Sequence, residues 1–204
     1  MLHEQGFDAS VVDRLGVDAG RPEIENWKRI VSTLKNPAKQ VSIGIVGKYI
    51  DLKESYKSLN EAIVHGGIAN NTKVDLVWID AETLTDDNVD GALREVDSIL
   101  VPGGFGERGA EGKMVAIRYA RVNRVPYFGI CFGMQLAAIE FARNVCGIHD
   151  ATSREFSDGS GKKGLRNFVI DLMEEQRAVK GKGGTMRLGS YSCTLKDESL
   201  VRSV

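Results

Sequence analysis

Short apolar runs, separated by stretches with helical spacing, set the pattern of this chain. Val41-Ser42-Ile43-Gly44-Ile45-Val46 predicts a buried strand, Lys73 to Ile79 a second, and Asp97-Ser98-Ile99-Leu100-Val101 a third. Pro126-Tyr127-Phe128-Gly129 predicts a fourth, very short one. Between and after them, segments at about 54–69 and 110–122, and Gln135 to Phe141, recur with the 3.6-residue spacing of helices. Strands that are apolar on both faces and alternate with helices predict an α/β fold: a mainly parallel central sheet with helices on both faces. Ligands of such sheets bind at the carboxyl ends of the strands. The loops after the third and fourth strands therefore belong to one candidate site.

The two ends of the chain differ from this middle. In residues 1–36, Leu2, Phe7, Val11 and Leu15 form a short apolar face, interrupted at Gly16 and Gly20. Pro22 precedes a clearer amphipathic helix carrying Ile24, Trp27, Ile30, Val31 and Leu34, which Pro37 ends. A helix with Trp on its apolar stripe is expected to pack on something. After Asn144 the pattern weakens. Residues 157–164 and 177–184 read as polar, glycine-rich loops, with 159–164 and 180–184 basic. Phe168 to Leu172 predicts a strand, and Thr185 to Leu188 with Tyr191 to Leu195 predict a short strand pair.

Composition narrows the classes. Hydrophobic residues make up 42% and charged residues 27% of 204, the profile of an ordinary globular chain. A net charge of −1 gives no electrostatic case for nucleic acid or a membrane surface. No run approaches the ~18 apolar residues of a membrane span. The N-terminus lacks a signal-peptide pattern. Three scattered cysteines, Cys131, Cys146 and Cys193, do not make a disulfide framework, and a reducing cytoplasm is the expected setting. No metal site is expected.

The candidate chemistry lies in Gly129-Ile130-Cys131-Phe132-Gly133-Met134-Gln135. A strand, a sharp turn with cysteine at its apex and a following helix is the logic of the nucleophile elbow. The glycines on either side allow a tight bend and a close approach of neighbouring segments. The helix start offers free N–H groups, a setting that favours a nucleophilic sulfur. A cysteine attacking an acyl carbon also needs an oxyanion hole. The Phe132 amide is one candidate donor. The Gly103-Gly104 turn, in a loop with three glycines in four residues, offers a second. No Gly-Lys-Ser/Thr follows that loop, so it does not read as a phosphate cradle. The three histidines, His3, His65 and His149, fall in the N-terminal segment, inside a helix and after a helix end, and none is placed as the base.

This elbow resembles the nucleophile motif of the class I, or triad, glutamine amidotransferases. The wider set is similar to the glutaminase domain of the CTP synthase family. It comprises Gly47-Lys48-Tyr49, Ser55-Tyr56-Lys57-Ser58 with Glu61-Ala62, Pro102 to Gly109 with Glu111-Gly112-Lys113, Ser153-Arg154-Glu155-Phe156, and Gly183 to Gly189. The resemblance implies residues 1–36 as the tail of a synthetase (amidoligase) domain with its connecting helix. It implies residues 37–204 as the amidotransferase domain, truncated at its C-terminal side. In the family that domain continues to an arginine that binds glutamine and to a His-Pro-Glu motif, neither of which this sequence contains. The implied activity is hydrolysis of L-glutamine through a thioester on Cys131, supplying ammonia for ATP-dependent conversion of UTP to CTP. The implied oxyanion donors are Gly104 and Phe132. The implied glutamine site is Gly104, Phe132, Gly133, Met134, Gln135 and Glu155, with Glu155 holding the α-ammonium. No role is assigned to Arg154. No cofactor is implied for this chain itself; ATP, magnesium and GTP as activator are implied for the parent enzyme, together with a homo-oligomer, a tetramer in the family. Two other readings stay open: a non-catalytic regulatory or assembly module derived from such a domain, and another hydrolase with a cysteine elbow.

Overall fold

A computed structural model describes residues 2–20, 22–48, 53–156, 167–173 and 192–203, with residues 53 and 54 described by their backbone alone. The chain divides into two compact units, residues 1–41 with 57–74 and residues 42–56 with 75–204. The first unit holds α1 (Phe7–Leu15), α2 (Glu25–Lys35) and α3 (Lys57–Ala69). α1 stops at Gly16, whose left-handed backbone lets its amide close on the Asp13 carbonyl. α2 ends at Lys35, ahead of Pro37, as its sequence predicts, and lies against α3. Neither α1 nor α2 has a buried residue, and Trp27 is 67% exposed.

The second unit carries most of a four-stranded sheet in the order β2-β1-β3-β4: β1 (Lys39–Gly47), β2 (Thr72–Asp80), β3 (Ser98–Val101) and β4 (Tyr127–Gly129). β1 pairs with β3 and β3 with β4, both in parallel. Ile45 stands opposite Leu100, Leu100 opposite Phe128, and Val101 opposite Gly129. This register brings three strand ends side by side. Lys48, the loop from Pro102 and the turn at Cys131 all leave the sheet at the same carboxyl edge.

Two longer helices, α5 (Ala110–Asn123) and α6 (Phe132–Asn144), pack on β3 and on each other, and the short α4 (Val89–Leu93) packs on α5. Val46, Leu93, Ile99, Val101, Ile117, Phe132, Leu136 and Ile139 form the centre of the core. Each is worth about 1.5–3 kcal/mol by its removal from water. α5 and α6 are also joined by an ion pair. Arg121 grips the buried Glu140 through two nitrogens, at 3.0 and 2.7 Å, and Asn144 donates to the same carboxylate. A bidentate guanidinium is the partner such a buried carboxylate requires. Beyond α6, β5 (Thr152–Ser153) and β6 (Phe168–Ile170) form a small parallel pair, and α7 (Leu200–Ser203) follows.

The α/β class and the parallel pairing agree with the sequence pattern. Three details differ. The helix placed at about 54–69 begins as a 3-10 turn, Lys53–Tyr56, before α3. α4 has five residues, too few to leave a periodic signature. Residues 192–195 adopt no regular structure where a strand was expected. The loops at 157–164 and 177–184 and the strand at 185–188 lie outside the described residues. Among the described residues, no helix is long and apolar enough to cross a membrane.

Candidate active site

Cys131 occupies the turn between β4 and α6, at the N-cap of the helix, with φ 53° and ψ −106°. That is a costly backbone for a residue with a side chain, on the order of 1–3 kcal/mol, and it persists only where packing imposes it. The flanking glycines show how. A Cβ on Gly129 would come within 2.6 Å of the Gly133 carbonyl carbon and 2.7 Å of the Met134 amide, and one on Gly133 would overlap the Val101 carbonyl oxygen. Strand and helix therefore approach closely enough to force the apex outward, and Cys131 is exposed. Tyr127 fastens the turn from below, its hydroxyl donating to the Gly133 carbonyl at 2.8 Å. Burial pushes the Tyr127 phenol up, so it remains a donor.

The Gly-rich loop after β3 meets this apex. A Cβ on Gly103 would stand 3.4 Å from Cys131 Cβ and 3.9 Å from its Sγ. At Gly104 a Cβ would meet only Lys113 Nζ, at 3.9 Å, so Gly103 rather than Gly104 is the glycine whose Cβ would touch Cys131, at ordinary van der Waals distance. Among the described residues, neither the Gly104 nor the Phe132 amide donates to a backbone carbonyl. Phe132 follows the apex as the first residue of α6. Its ring is buried, 5.8 Å from Phe156 in an edge-to-face arrangement, which leaves its backbone as the part that faces the site. Gly133 is buried, Met134 exposed and Gln135 half-buried.

Glu155 arrives from the 3-10 turn Arg154–Phe156 after β5, and its Oε1 accepts the Gly106 amide at 2.7 Å. Residue 155 is thus joined to the loop expected to face Cys131. Arg154 pairs with Asp171 and lies over the Phe168 ring.

Two lysines at this edge received no role from the sequence. Lys48, directly after β1, donates to the Phe105 carbonyl at 2.6 Å. Partial burial and the neighbouring Arg108 lower its pKa, against Glu82 and Glu155. Lys113 in α5 is fully buried, and its Nζ has no hydrogen-bond partner among the described residues. It stands 5.3 Å from the Phe132 ring centroid. Burial, with a smaller push from Lys48, lowers its pKa to about 8. The sequence did carry a signal for Lys113: with Ala110, Met114 and Ile117 it falls on the i, i+3, i+4, i+7 face of α5 that enters the core.

No histidine is hydrogen-bonded to Cys131 among the described residues. His3 is paired with Asp8 at 2.6 Å, and His65 and His149 are exposed. No group of three or more His, Cys, Asp or Glu residues stands together to hold a metal ion among the described residues.

A family model, glutamine amidotransferase class-I, matches residues 51–202. The chain belongs to the class-I glutamine amidotransferase family. Among curated relatives, the CTP synthase of Bdellovibrio bacteriovorus is 59% identical over 203 residues, which is 100% of this chain and 38% of that protein. The CTP synthase of Geobacter metallireducens is 55% identical over 195 residues, 95% of this chain and 35% of that protein. The chain thus spans little more than a third of the CTP synthases it matches. A solved structure, the glutaminase domain of Trypanosoma brucei CTPS with bound acivicin, superposes with a TM-score of 0.60 at 40% identity, over 67% of this chain and 52% of that one. In this amidotransferase chain, the elbow, the Gly-rich loop and Glu155 occupy one sheet edge.

Proposed function

We propose that this chain is the glutaminase part of a CTP synthase and that the complete polypeptide hydrolyses L-glutamine through Cys131. The observation that carries the reading is the strained, exposed apex of Cys131 against the Gly103 turn, a geometry with no packing purpose of its own. The 50–59% identity to CTP synthases supports the choice of substrate.

In this mechanism, Cys131 Sγ attacks the side-chain amide carbon of glutamine, and the carbonyl electrons move onto oxygen. The Gly104 and Phe132 amides receive that oxyanion. Its collapse breaks the C–N bond. The amide nitrogen leaves as ammonia with the proton given up by the thiol, and a γ-glutamyl thioester remains. Water then attacks the thioester, releasing glutamate and restoring the thiol. Glu155 holds the α-ammonium, and Gly133, Met134 and Gln135 line the substrate with their backbone or side chains. The ammonia serves a synthetase domain of the same polypeptide, where ATP and magnesium drive UTP to CTP and GTP activates. No residue of this chain is assigned to those ligands.

The test is steady-state glutamine hydrolysis by the complete polypeptide and its Cys131→Ala variant. The expected result is loss of glutaminase activity with ammonia-dependent CTP formation retained. Retention of glutamine hydrolysis by the variant would overturn the assignment.

A further inference from the structure

The Gly-rich loop is gripped at one peptide group. The Phe105 carbonyl and the Gly106 amide are the two ends of the same planar unit. Lys48 Nζ donates to the carbonyl at 2.6 Å, and Glu155 Oε1 accepts from the amide at 2.7 Å. A cation therefore sits on the oxygen end of one peptide dipole and an anion on its nitrogen end. Both bonds are charge-assisted, which makes them shorter and stronger than neutral ones. They reach the loop from different parts of the chain, Lys48 from the end of β1 and Glu155 from the turn after β5.

This peptide needs such a restraint. Gly106 has φ +80°, and glycine accepts both orientations of the plane before it. Turning the plane over would aim the N–H at an ammonium and the carbonyl at a carboxylate. The two side chains permit only the orientation seen. The Gly104 amide lies two residues upstream, so the plane they fix sets the direction in which the loop leaves Cys131. Around Lys48 the other charges among the described residues are Arg108, Glu82, Glu155 and the buried Lys113, and Arg108 is itself held by Glu82 at 2.8 Å.

We propose that Lys48 is a positioning residue for glutamine hydrolysis: with Glu155 it locks the Phe105–Gly106 peptide and so aims the Gly104 amide at the developing oxyanion. The proposal rests on the glutaminase reading above. It deepens that reading, because the carboxylate assigned to the substrate's ammonium is also a clamp on the loop. Substrate recognition and transition-state stabilisation then share one side chain.

The experiment compares Lys48→Met and Lys48→Arg with the parent in the complete polypeptide, by kcat and KM for glutamine and by iodoacetamide alkylation of Cys131 followed by peptide mapping. Iodide displacement builds no oxyanion, so alkylation reports whether the elbow is intact without using the loop. Lys48→Met is expected to lower kcat about tenfold or more, short of the ~100–1,000-fold lost with a whole oxyanion donor. KM is expected to stay within about threefold and alkylation within about twofold, these limits being set against the same donor loss. Lys48→Arg, which keeps a cationic donor, is expected to recover most of kcat. Lys48→Gln is held to the limits for Lys48→Met if that variant does not fold. A kcat within threefold of the parent, or a parallel fall of kcat and alkylation, or no recovery with arginine, would overturn the positioning role. Cys131→Ala runs alongside: turnover by that variant would instead overturn the glutaminase reading itself.

Discussion

Cys131 and Lys113 are two residues that this fold holds at a cost. The first carries an unfavourable backbone, the second a buried ammonium with no hydrogen-bond partner among the described residues. A depression of the Lys113 pKa from 10.5 to about 8 corresponds to roughly 3 kcal/mol of lost stability at neutral pH. The sign follows from proton linkage. Below about pH 8 the lysine is charged in both states and the full cost applies. Between about 8 and 10.5 the unfolded chain binds more protons than the folded one, so stability rises with pH and the cost fades. Lys113→Met is therefore expected to raise the urea midpoint at pH 7 and to gain much less at pH 10. A midpoint lowered at pH 7, or a gain equal at both values, would contradict this. Gly133→Ala should destabilise by about 1–3 kcal/mol, because its Cβ overlaps the Val101 carbonyl oxygen and the helix must shift. Denaturation with the same probe checks it. At this scale the sequence was legible where geometry repeats in residue type. Glycines two positions either side of Cys131 announced the close approach. Lys113 was not read, although its helical position pointed inward, because a charge in a core is normally paired.

At the scale of elements, the site is the meeting of two turns at one sheet edge. Parallel register places the ends of β1, β3 and β4 together, so the loops carrying Lys48, Gly103 and Cys131 converge without any long segment. Gly103→Val should lower kcat for glutamine by about a hundredfold or more, the range for a displaced oxyanion donor, since its side chain would press on Cys131. Gly104→Ala should fold with a melting temperature close to the parent's, as only the end of Lys113 stands near its Cβ. Near-normal kcat for Gly103→Val would reduce the loop to a plain connector. The strands were legible because each is a compact apolar run. α4 was not, since five residues give little more than one turn of periodicity. The 3-10 start of the segment at 53–56 escaped for a similar reason. A hydrophobic pattern marks which residues face inward but does not distinguish three from 3.6 residues per turn over so short a span.

Over the whole molecule, the division of labour proposed for the longer polypeptide is testable through one cysteine. If glutamine hydrolysis only delivers ammonia, Cys131→Ala leaves ammonia-dependent CTP formation within about twofold of the parent while glutamine-dependent synthesis is lost, since removing a nucleophile acts only on steps that use it. Loss of both would show that the two activities are not separable in this way. The 204 residues alone should be alkylated at Cys131 yet turn over glutamine far more slowly than the complete polypeptide, because no histidine is bonded to the thiol among the described residues and thioester hydrolysis needs an activated water. The fold class was legible from the alternation of strands and helices, and the family from several motifs in order. The resemblance put Glu155 and Gly104 at one site, but the direct bond of Glu155 to the Gly106 amide was not legible, because nothing in sequence spacing reports that residues 106 and 155 meet.

In the proposed mechanism Cys131 alone among three cysteines is the nucleophile. Exposure does not distinguish it, since Cys131, Cys146 and Cys193 are all exposed. Only the elbow does. The most direct measurement is mass-spectrometric peptide mapping of the complete polypeptide after reaction with acivicin, the compound bound in the Trypanosoma brucei glutaminase domain. A single adduct is expected on the peptide containing Cys131, prevented by excess glutamine, with Cys146 and Cys193 unmodified. An adduct on Cys146 or Cys193, or inactivation with Cys131 unmodified, would contradict it.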